Sequence, residues 1–124
     1  MSIEPVFSKL EVHPKGWGDE LWITNNEKYC GKILRFNEGA SFSMHFHVKK
    51  EETWCVTKGE LKLEYFDLEK AERLEKNLVE GDVVHLVQCV PHKLTAVKDS
   101  TVFEVSTQHF NEDSYRVEKG SSQK

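Results

Sequence analysis

Short alternating segments constrain the fold of this chain more than any other feature of its sequence. Between residues 20 and 106, apolar or β-branched residues alternate with polar ones in short runs, and Gly, Asn, Asp and Lys stand between the runs. Alternation places successive side chains on opposite faces of a half-buried strand, and the intervening residues favour turns. Many short strands at close spacing predict an all-β sandwich or barrel. The predicted strands are Glu20–Thr24, Tyr29–Phe36, Ser41–Val48, Thr53–Thr57, Glu60–Phe66, Leu74–Val79, Asp82–Val87, His92–Val97 and Thr101–Ser106.

One segment, Asp67–Leu78, also fits a helix. Its apolar residues recur at nearly helical intervals among good helix formers. We favour a charged hairpin, because the segments on both sides of it have the character of strands and the turn Glu80-Gly81-Asp82 follows it.

The length and charge of the chain narrow its class. With 124 residues it has the size of one domain, here taken as residues 1–124 with a polar, frayed end at 119–124. Its net charge of -4 comes from scattered residues of both signs without a basic block, which argues against nucleic acid as a partner.

The sequence also predicts the compartment. No apolar run approaches the roughly 18 to 20 residues that a membrane span requires, and the N-terminal segment lacks the apolar stretch of a signal peptide. Cys30, Cys55 and Cys89 are far apart and form no CxxC pair, so we expect reduced thiols. These features favour a cytoplasmic protein that does not bind membranes.

Four residues with metal-binding side chains carry the functional prediction. His45 and His47, two positions apart on one predicted strand, present both imidazoles on the same face. Glu52 begins the next strand, and His92 follows Pro91 at the start of another. Three imidazoles and one carboxylate suit one divalent transition-metal ion, Zn, Fe, Mn, Ni or Co, better than Ca or Mg. Such an ion keeps open positions for water or substrate, as catalytic sites do.

The spacing of these residues resembles that of a known superfamily. Gly39-x5-His45-x-His47-x4-Glu52-x6-Gly59 is similar to the first signature of the cupins, and Gly81 with His92 is similar to part of the second. The second signature departs from the family pattern, since Val87, Cys89 and Ala96 replace its Pro, Gly and Asn. The resemblance implies a double-stranded β-helix, or jelly-roll barrel, around the ion.

A narrower resemblance extends over most of the chain. It is to the small single-domain cupins related to bacterial phosphomannose isomerases of type II, and it implies a homodimer that isomerises a sugar or sugar phosphate between aldose and ketose. An iron-dependent cupin dioxygenase and a non-catalytic sugar-binding or regulatory cupin are the alternatives. The segments that carry the resemblance are Trp17–Trp22, Cys30–Leu34, Glu52–Trp54, Pro91–Leu94, Phe103–Thr107 and Asn111–Val117.

Other side chains are candidates for contacts with the substrate. The cations that could bind a phosphate are Lys32, Arg35, Lys93 and Arg116. Strand parity does not decide whether Lys32 or Arg35 faces the barrel interior. Trp54 and Phe103 could line the pocket or pack in the core, and His85 and Lys32 are weak candidates for proton transfer.

The sequence also supports structural predictions for one charged segment, two tryptophans and one cysteine. Lys49-Lys50-Glu51 has the composition of an exposed hairpin tip. Trp17 and Trp22 could form a dimer contact or a local apolar cap. Cys89 could approach the ion, although a free loop thiol is the simpler expectation.

Overall fold

The strands of this protein form two antiparallel sheets. The structure is a computed structural model that describes residues 3–124. All nine predicted strands are present, the third shortened to three residues, and the sequence patterns missed the first and the last strand. The described strands are β1 (Glu11–Lys15), β2 (Gly18–Asn25), β3 (Cys30–Phe36), β4 (Met44–Phe46), β5 (Glu52–Lys58), β6 (Glu60–Asp67), β7 (Glu72–Val79), β8 (Val83–Leu86), β9 (His92–Ala96), β10 (Ser100–Ser106) and β11 (Tyr115–Glu118).

The two sheets enclose one core. The six-stranded sheet has the order β1-β2-β3-β10-β5-β8, and the five-stranded sheet has the order β11-β4-β9-β6-β7. Trp54 and Val102 of the first sheet and Leu61 and Leu94 of the second belong to the same cluster of buried apolar side chains. The prediction of an all-β fold built from two such sheets is confirmed.

The segment that fitted either a helix or a hairpin is a hairpin. Strands β6 and β7 pair over their full length, from Glu60 opposite Val79 to Asp67 opposite Glu72. Their turn is closed by the carboxylate of Asp67, which accepts hydrogen bonds from the backbone N–H groups of Glu69 and Lys70. Strand pairing along both edges of β6 therefore overrides the local helix propensity.

The C-terminal end is held against the barrel, which corrects the expectation that it frays. Ser121–Gln123 form a 3-10 turn, and the N–H of Ser121 donates to the carbonyl of Ser41 over 2.8 Å. A Cβ atom at Gly120 would lie 2.4 Å from the carbonyl carbon of Phe42, so only glycine permits this approach. The turn thereby becomes part of the wall around the site described below.

Within residues 3–124 no helix has the length and apolar character needed to cross a bilayer. The three cysteines are free thiols, as expected: Cys30 is buried, Cys55 is partly buried and Cys89 is exposed.

Candidate metal centre

Three histidines converge at one end of the barrel interior. His45 lies in β4 directly opposite His92, the first residue of β9, and His47 follows β4 by one residue. The centroid of the His45 ring lies 4.6 Å from that of the His92 ring and 4.9 Å from that of the His47 ring. One nitrogen atom from each ring lies within 4.8 Å of the other two. The three imidazoles could therefore hold a metal ion, as the spacing of the sequence predicted.

Glu52, the first residue of β5, adds a carboxylate to this cluster. Its Oε2 atom lies 3.4 Å from Nε2 of His47 and 3.8 Å from Nε2 of His92. Its other oxygen, Oε1, accepts a hydrogen bond of 2.7 Å from the indole N–H of Trp54. The bond to Trp54 fixes the carboxyl group, so that Oε2 is the oxygen directed at the histidines.

Backbone carbonyls orient each imidazole from behind. Nδ1 of His45 lies 2.7 Å from the carbonyl oxygen of Ser43, and Nδ1 of His47 lies 2.6 Å from that of Asp113. Nδ1 of His92 lies 2.9 Å from the carbonyl oxygen of Val90. Because a carbonyl only accepts, each Nδ1 must carry the proton, which leaves the lone pair of each Nε2 free. This is the tautomer that ligates a metal through Nε2.

Burial also keeps these rings neutral. Desolvation lowers the pKa of His47 to about 4, with a further contribution from the nearby Lys50 ammonium group. Desolvation lowers the pKa of His92 to about 3, and it lowers the pKa of His45 well below its ordinary value. Protons therefore do not compete for the three Nε2 atoms near neutral pH, as a metal site requires.

The donor set and its spacing fit one divalent transition-metal ion. Ligand atoms at about 2.1 Å from an ion, at tetrahedral or octahedral angles, lie about 3.0 to 3.4 Å apart. The distance of 3.4 Å between Glu52 and His47 falls in this range, and that of 3.8 Å to His92 is slightly longer. Three imidazole nitrogens and one carboxylate oxygen match the preferences of Zn, Fe, Mn, Ni and Co.

The cluster lies in a cavity of about 450 Å³ that contains several charged groups. Two buried or partly buried ion pairs line it: Lys32 with Glu20 and Lys50 with Glu104, each with an N–O distance of 3.2 Å. The remaining polar side chains of the lining are His13, Lys15, Ser43, His109, Asn111, Ser114, Arg116, Ser122 and Gln123. The cavity can thus admit a small polar molecule next to the metal ligands.

Two of the proposed phosphate-binding cations line this cavity. Lys32 faces inward with 2% of its surface exposed, and Arg116 lies on the wall formed by β11. Arg35 points outward between two buried neighbours and pairs with Asp19, and Lys93 lies on the outer face of β9, with parity opposite to His92. The structure therefore removes Arg35 and Lys93 from the candidates for substrate contact.

The remaining candidates are placed by strand parity as well. Trp54 is in the apolar core behind Glu52, where it orients the carboxylate. Phe103 lies on the outer face of β10, and exposed His85 pairs with Glu51, so neither of them lines the cavity.

Trp17 packs in the core against Phe36, while Trp22 stacks on His13. Cys89 is exposed, and its backbone N–H donates a hydrogen bond to the carbonyl oxygen of His47.

Lys50 and Glu104 are buried cavity residues that sequence reasoning missed. The prediction that Lys50 belongs to an exposed tip is wrong, since only 4% of its surface is exposed. Burial alone would lower the pKa of its ammonium group, but Glu104 and Glu52 outweigh this effect and raise it. Burial raises the pKa of Glu104, partly offset by Lys50.

Comparisons with known proteins agree with this fold. A family model described as Cupin matches residues 20–122, while no curated protein matches the chain. The capsular polysaccharide assembling protein CapF of Staphylococcus aureus superposes with a TM-score of 0.78 and 16% identity over 90% of this chain and 32% of its own. The structure of oxalate decarboxylase from Bacillus subtilis at pH 4.6 superposes with a TM-score of 0.77 and 16% identity over 92% of this chain and 33% of its own.

A second structure of Bacillus subtilis oxalate decarboxylase, from work on its Mn(II) centres, gives a TM-score of 0.77 and 18% identity over 90% of this chain and 31% of its own. The chain thus spans about a third of the length of these proteins. At such low identity the likeness shows the fold alone.

Proposed function

Since this chain belongs to the cupin family, whose model matches residues 20–122, we propose that it is a metal-dependent enzyme acting on a sugar or sugar phosphate. The reaction we propose is the aldose–ketose isomerisation suggested by the resemblance to phosphomannose isomerases. The observation that carries the proposal is the convergence of three neutral imidazoles, each fixed through Nδ1, beside Glu52 in an open cavity. A purely structural metal site would be closed on all sides.

The ligand set of the proposal is His45, His47, His92 and Glu52. A divalent ion held by them would act as a Lewis acid on carbonyl and hydroxyl oxygens of the substrate. The Trp54 indole keeps Glu52 Oε1 occupied, so that the carboxylate offers one oxygen to the ion.

Aldose–ketose isomerisation also requires a group that accepts a proton from carbon. Glu104 lines the same cavity, and its burial raises the pKa of its carboxyl group, which makes it a stronger base than an exposed carboxylate. Lys50 holds its Oε2 atom at 3.2 Å. We therefore propose Glu104 as the proton acceptor and Lys50 as the residue that positions it.

Metal content and turnover test the two parts of this proposal separately. Elemental analysis should find one ion per chain in the wild type and in His85→Ala, a control whose imidazole lies outside the cavity, and a strongly reduced content in His47→Ala. Metal-loaded wild type should isomerise mannose 6-phosphate, whereas Glu104→Gln should retain the metal and lose turnover. Equal metal content in His47→Ala and His85→Ala would refute the site. A loaded protein that turns over no sugar phosphate would refute the isomerase.

The donor set also supports a second candidate, an iron-dependent dioxygenase. Three histidines and one carboxylate leave open positions that suit Fe as well as the other ions. Oxygen uptake by the Fe(II)-loaded protein with a small substrate, but not by the Zn-loaded protein, would favour this candidate. Tight binding of a sugar without turnover or oxygen uptake would favour a non-catalytic role.

We also propose that the chain forms a homodimer through its N-terminal segment. Ile3, Val6 and Phe7 are 96%, 94% and 88% exposed, which is unusual for three large apolar side chains close together in sequence. A second copy would bury them. Sedimentation should show a dimer for the wild type and for Leu68→Asp, a control at an exposed apolar position, but a monomer for Phe7→Asp. A monomeric wild type would refute this proposal.

A further inference from the structure

Two edge strands border the cavity from opposite sheets. β1 is the edge of the six-stranded sheet and carries Lys15, and β11 is the edge of the five-stranded sheet and carries Arg116. Both side chains line the cavity that contains the histidines. The cavity therefore has one cation on each of the two edges that bound it.

The register of β11 places Arg116 beside the metal ligands. Arg116 lies directly opposite His45 in the antiparallel pair of β11 and β4, so both side chains project from the same face. The neighbouring pair, Tyr115 and Phe46, stacks with ring centroids 5.2 Å apart and so fixes the alternation on this edge. Arg116 is thus a lateral neighbour of a proposed ligand and not a distant surface charge.

Arg116 and Lys15 differ from the other cations of the cavity in forming no ion pair with the described residues, although the charge of Lys15 contributes to lowering the pKa of Glu20. Lys32 pairs with Glu20 and Lys50 pairs with Glu104. Within residues 3–124, no carboxylate forms an ion pair with Arg116 or Lys15, and the other two arginines of the chain each have at least one. Cations that face a cavity without a direct ion pair keep their hydrogen-bond donors available to a ligand.

The charge of the cavity is opposite to the charge of the chain. The chain carries a net charge of -4, but the cavity lining contains four Lys and Arg residues against three Glu residues. A bound divalent ion would increase this positive excess further. A field of this sign attracts small anions and disfavours neutral or cationic molecules.

From these observations we propose that Arg116 and Lys15 form an anion-binding subsite at the mouth of the cavity. It would bind the oxyanion group, phosphate or carboxylate, of a molecule whose other oxygens reach the metal centre. The inference rests on the proposed function and narrows its substrates to anionic ones. The planar guanidinium group can donate two parallel hydrogen bonds to such a group, and the lysine adds charge from the other side.

A neutral donor completes the subsite. Ser122, in the C-terminal turn, lines the same cavity, and its Oγ atom accepts a hydrogen bond of 2.9 Å from the backbone N–H of Gly16. Because that bond uses a lone pair, the hydroxyl proton remains free to donate to an anion. The same contact ties the turn to the residue that follows Lys15, so the donors are held together.

Anion binding can be measured without any catalysis. Inorganic phosphate and malonate are titrated by calorimetry into wild type, Arg116→Gln and Lys15→Gln, in metal-free and metal-loaded forms. Arg35→Gln is the matched control, because it removes an exposed arginine outside the cavity. Arg116→Gln should weaken binding by about 10- to 100-fold, the loss expected for hydrogen bonds between charged groups. Arg35→Gln should bind like the wild type.

The two anions and the two forms separate the outcomes. Tighter binding of phosphate than malonate assigns the subsite to phosphate esters, and the reverse order assigns it to carboxylates. Binding that Arg116→Gln leaves unchanged, or no binding of either anion, would overturn the inference while metal content still supports the proposed function. Arg116-dependent binding in a chain that takes up no metal would refute the proposed function and leave the subsite standing.

Discussion

The residue Asp113 connects the candidate metal centre to the loop between β4 and β5. Its carboxylate accepts backbone hydrogen bonds from three consecutive residues, Val48, Lys49 and Lys50, at 2.9 to 3.0 Å. The backbone carbonyl of Asp113 accepts the Nδ1 proton of His47 over 2.6 Å. One buried residue thus fixes both a proposed ligand and the segment that leads to the next one. We predict that Asp113→Ala lowers the free energy of unfolding and also the affinity for metal.

The size of the effect follows from these contacts. A hydrogen bond to a charged group contributes about 1.5 to 3 kcal/mol, and the side chain of Asp113 is 2% exposed, so water does not replace the lost acceptor. Three bonds that share one carboxylate do not add fully, and we expect a loss of about 3 to 5 kcal/mol. A change in the groups that orient a ligand costs about 10- to 100-fold in metal affinity.

Urea unfolding of the metal-free protein and calorimetric titration with Zn measure the two effects. The matched control is Asp67→Ala, which removes a carboxylate that accepts two backbone N–H groups in the exposed turn between β6 and β7. It should cost about 1 kcal/mol and leave the Zn affinity unchanged. If Asp113→Ala is no less stable than Asp67→Ala, or binds Zn as the wild type does, the assignment of this supporting role is refuted.

Three further results follow from the buried polar groups. Trp54→Phe removes the hydrogen bond to Glu52 Oε1, so Zn affinity should fall about tenfold by calorimetry, while equal affinity would contradict its orienting role. Lys50→Met leaves Glu104 buried without its cation and should lower the free energy of urea unfolding by about 3 to 5 kcal/mol. The double variant Lys50→Met with Glu104→Gln should recover part of this loss. Equal stability of the single and double variants would contradict the coupling of the two residues. Because burial lowers the pKa of His92 from 6.5 to about 3, its contribution to stability is complete above pH 6.5 and is lost as the pH falls toward 3, by up to about 1.4 kcal/mol per pH unit. Urea midpoints of the metal-free protein at pH 7.5 and 5 that coincide would refute this.

The central strands could be predicted because apolar and polar residues alternate along them, which indicates that one face of each strand is buried. In β9 the exposure of the side chains alternates along the strand, with His92, Leu94 and Ala96 buried. The two outer strands carry a weaker pattern: Val12 is the sole large apolar residue of β1, and the residues of β11 are mostly exposed. An edge strand that buries little surface leaves little periodicity in its sequence.

The ligands could be predicted, but their charged neighbours could not. His45 and His47 are close in sequence and on one strand, so their spacing encodes a shared face. Lys50 and Glu104 are separated by 54 positions, and only the pairing of β10 with β5 brings them together. Local sequence patterns do not encode a contact between residues so far apart. A charged residue next to other charged residues in sequence also has the composition of an exposed hairpin turn.

The interior of the barrel is divided between packing and chemistry. One part is filled by leucine, valine and tryptophan side chains, and the other contains the histidines together with Lys50, Glu52 and Glu104. Well-packed apolar residues in place of a buried ion pair are often neutral or stabilising, so packing alone does not account for charged groups here. Imidazoles held neutral and convergent likewise add little stability to the metal-free chain. An ion that binds only the folded state at a thousand times its Kd would add about 4 kcal/mol. We therefore interpret the polar part of the interior as a binding site, where the bound ligand stabilises the folded chain.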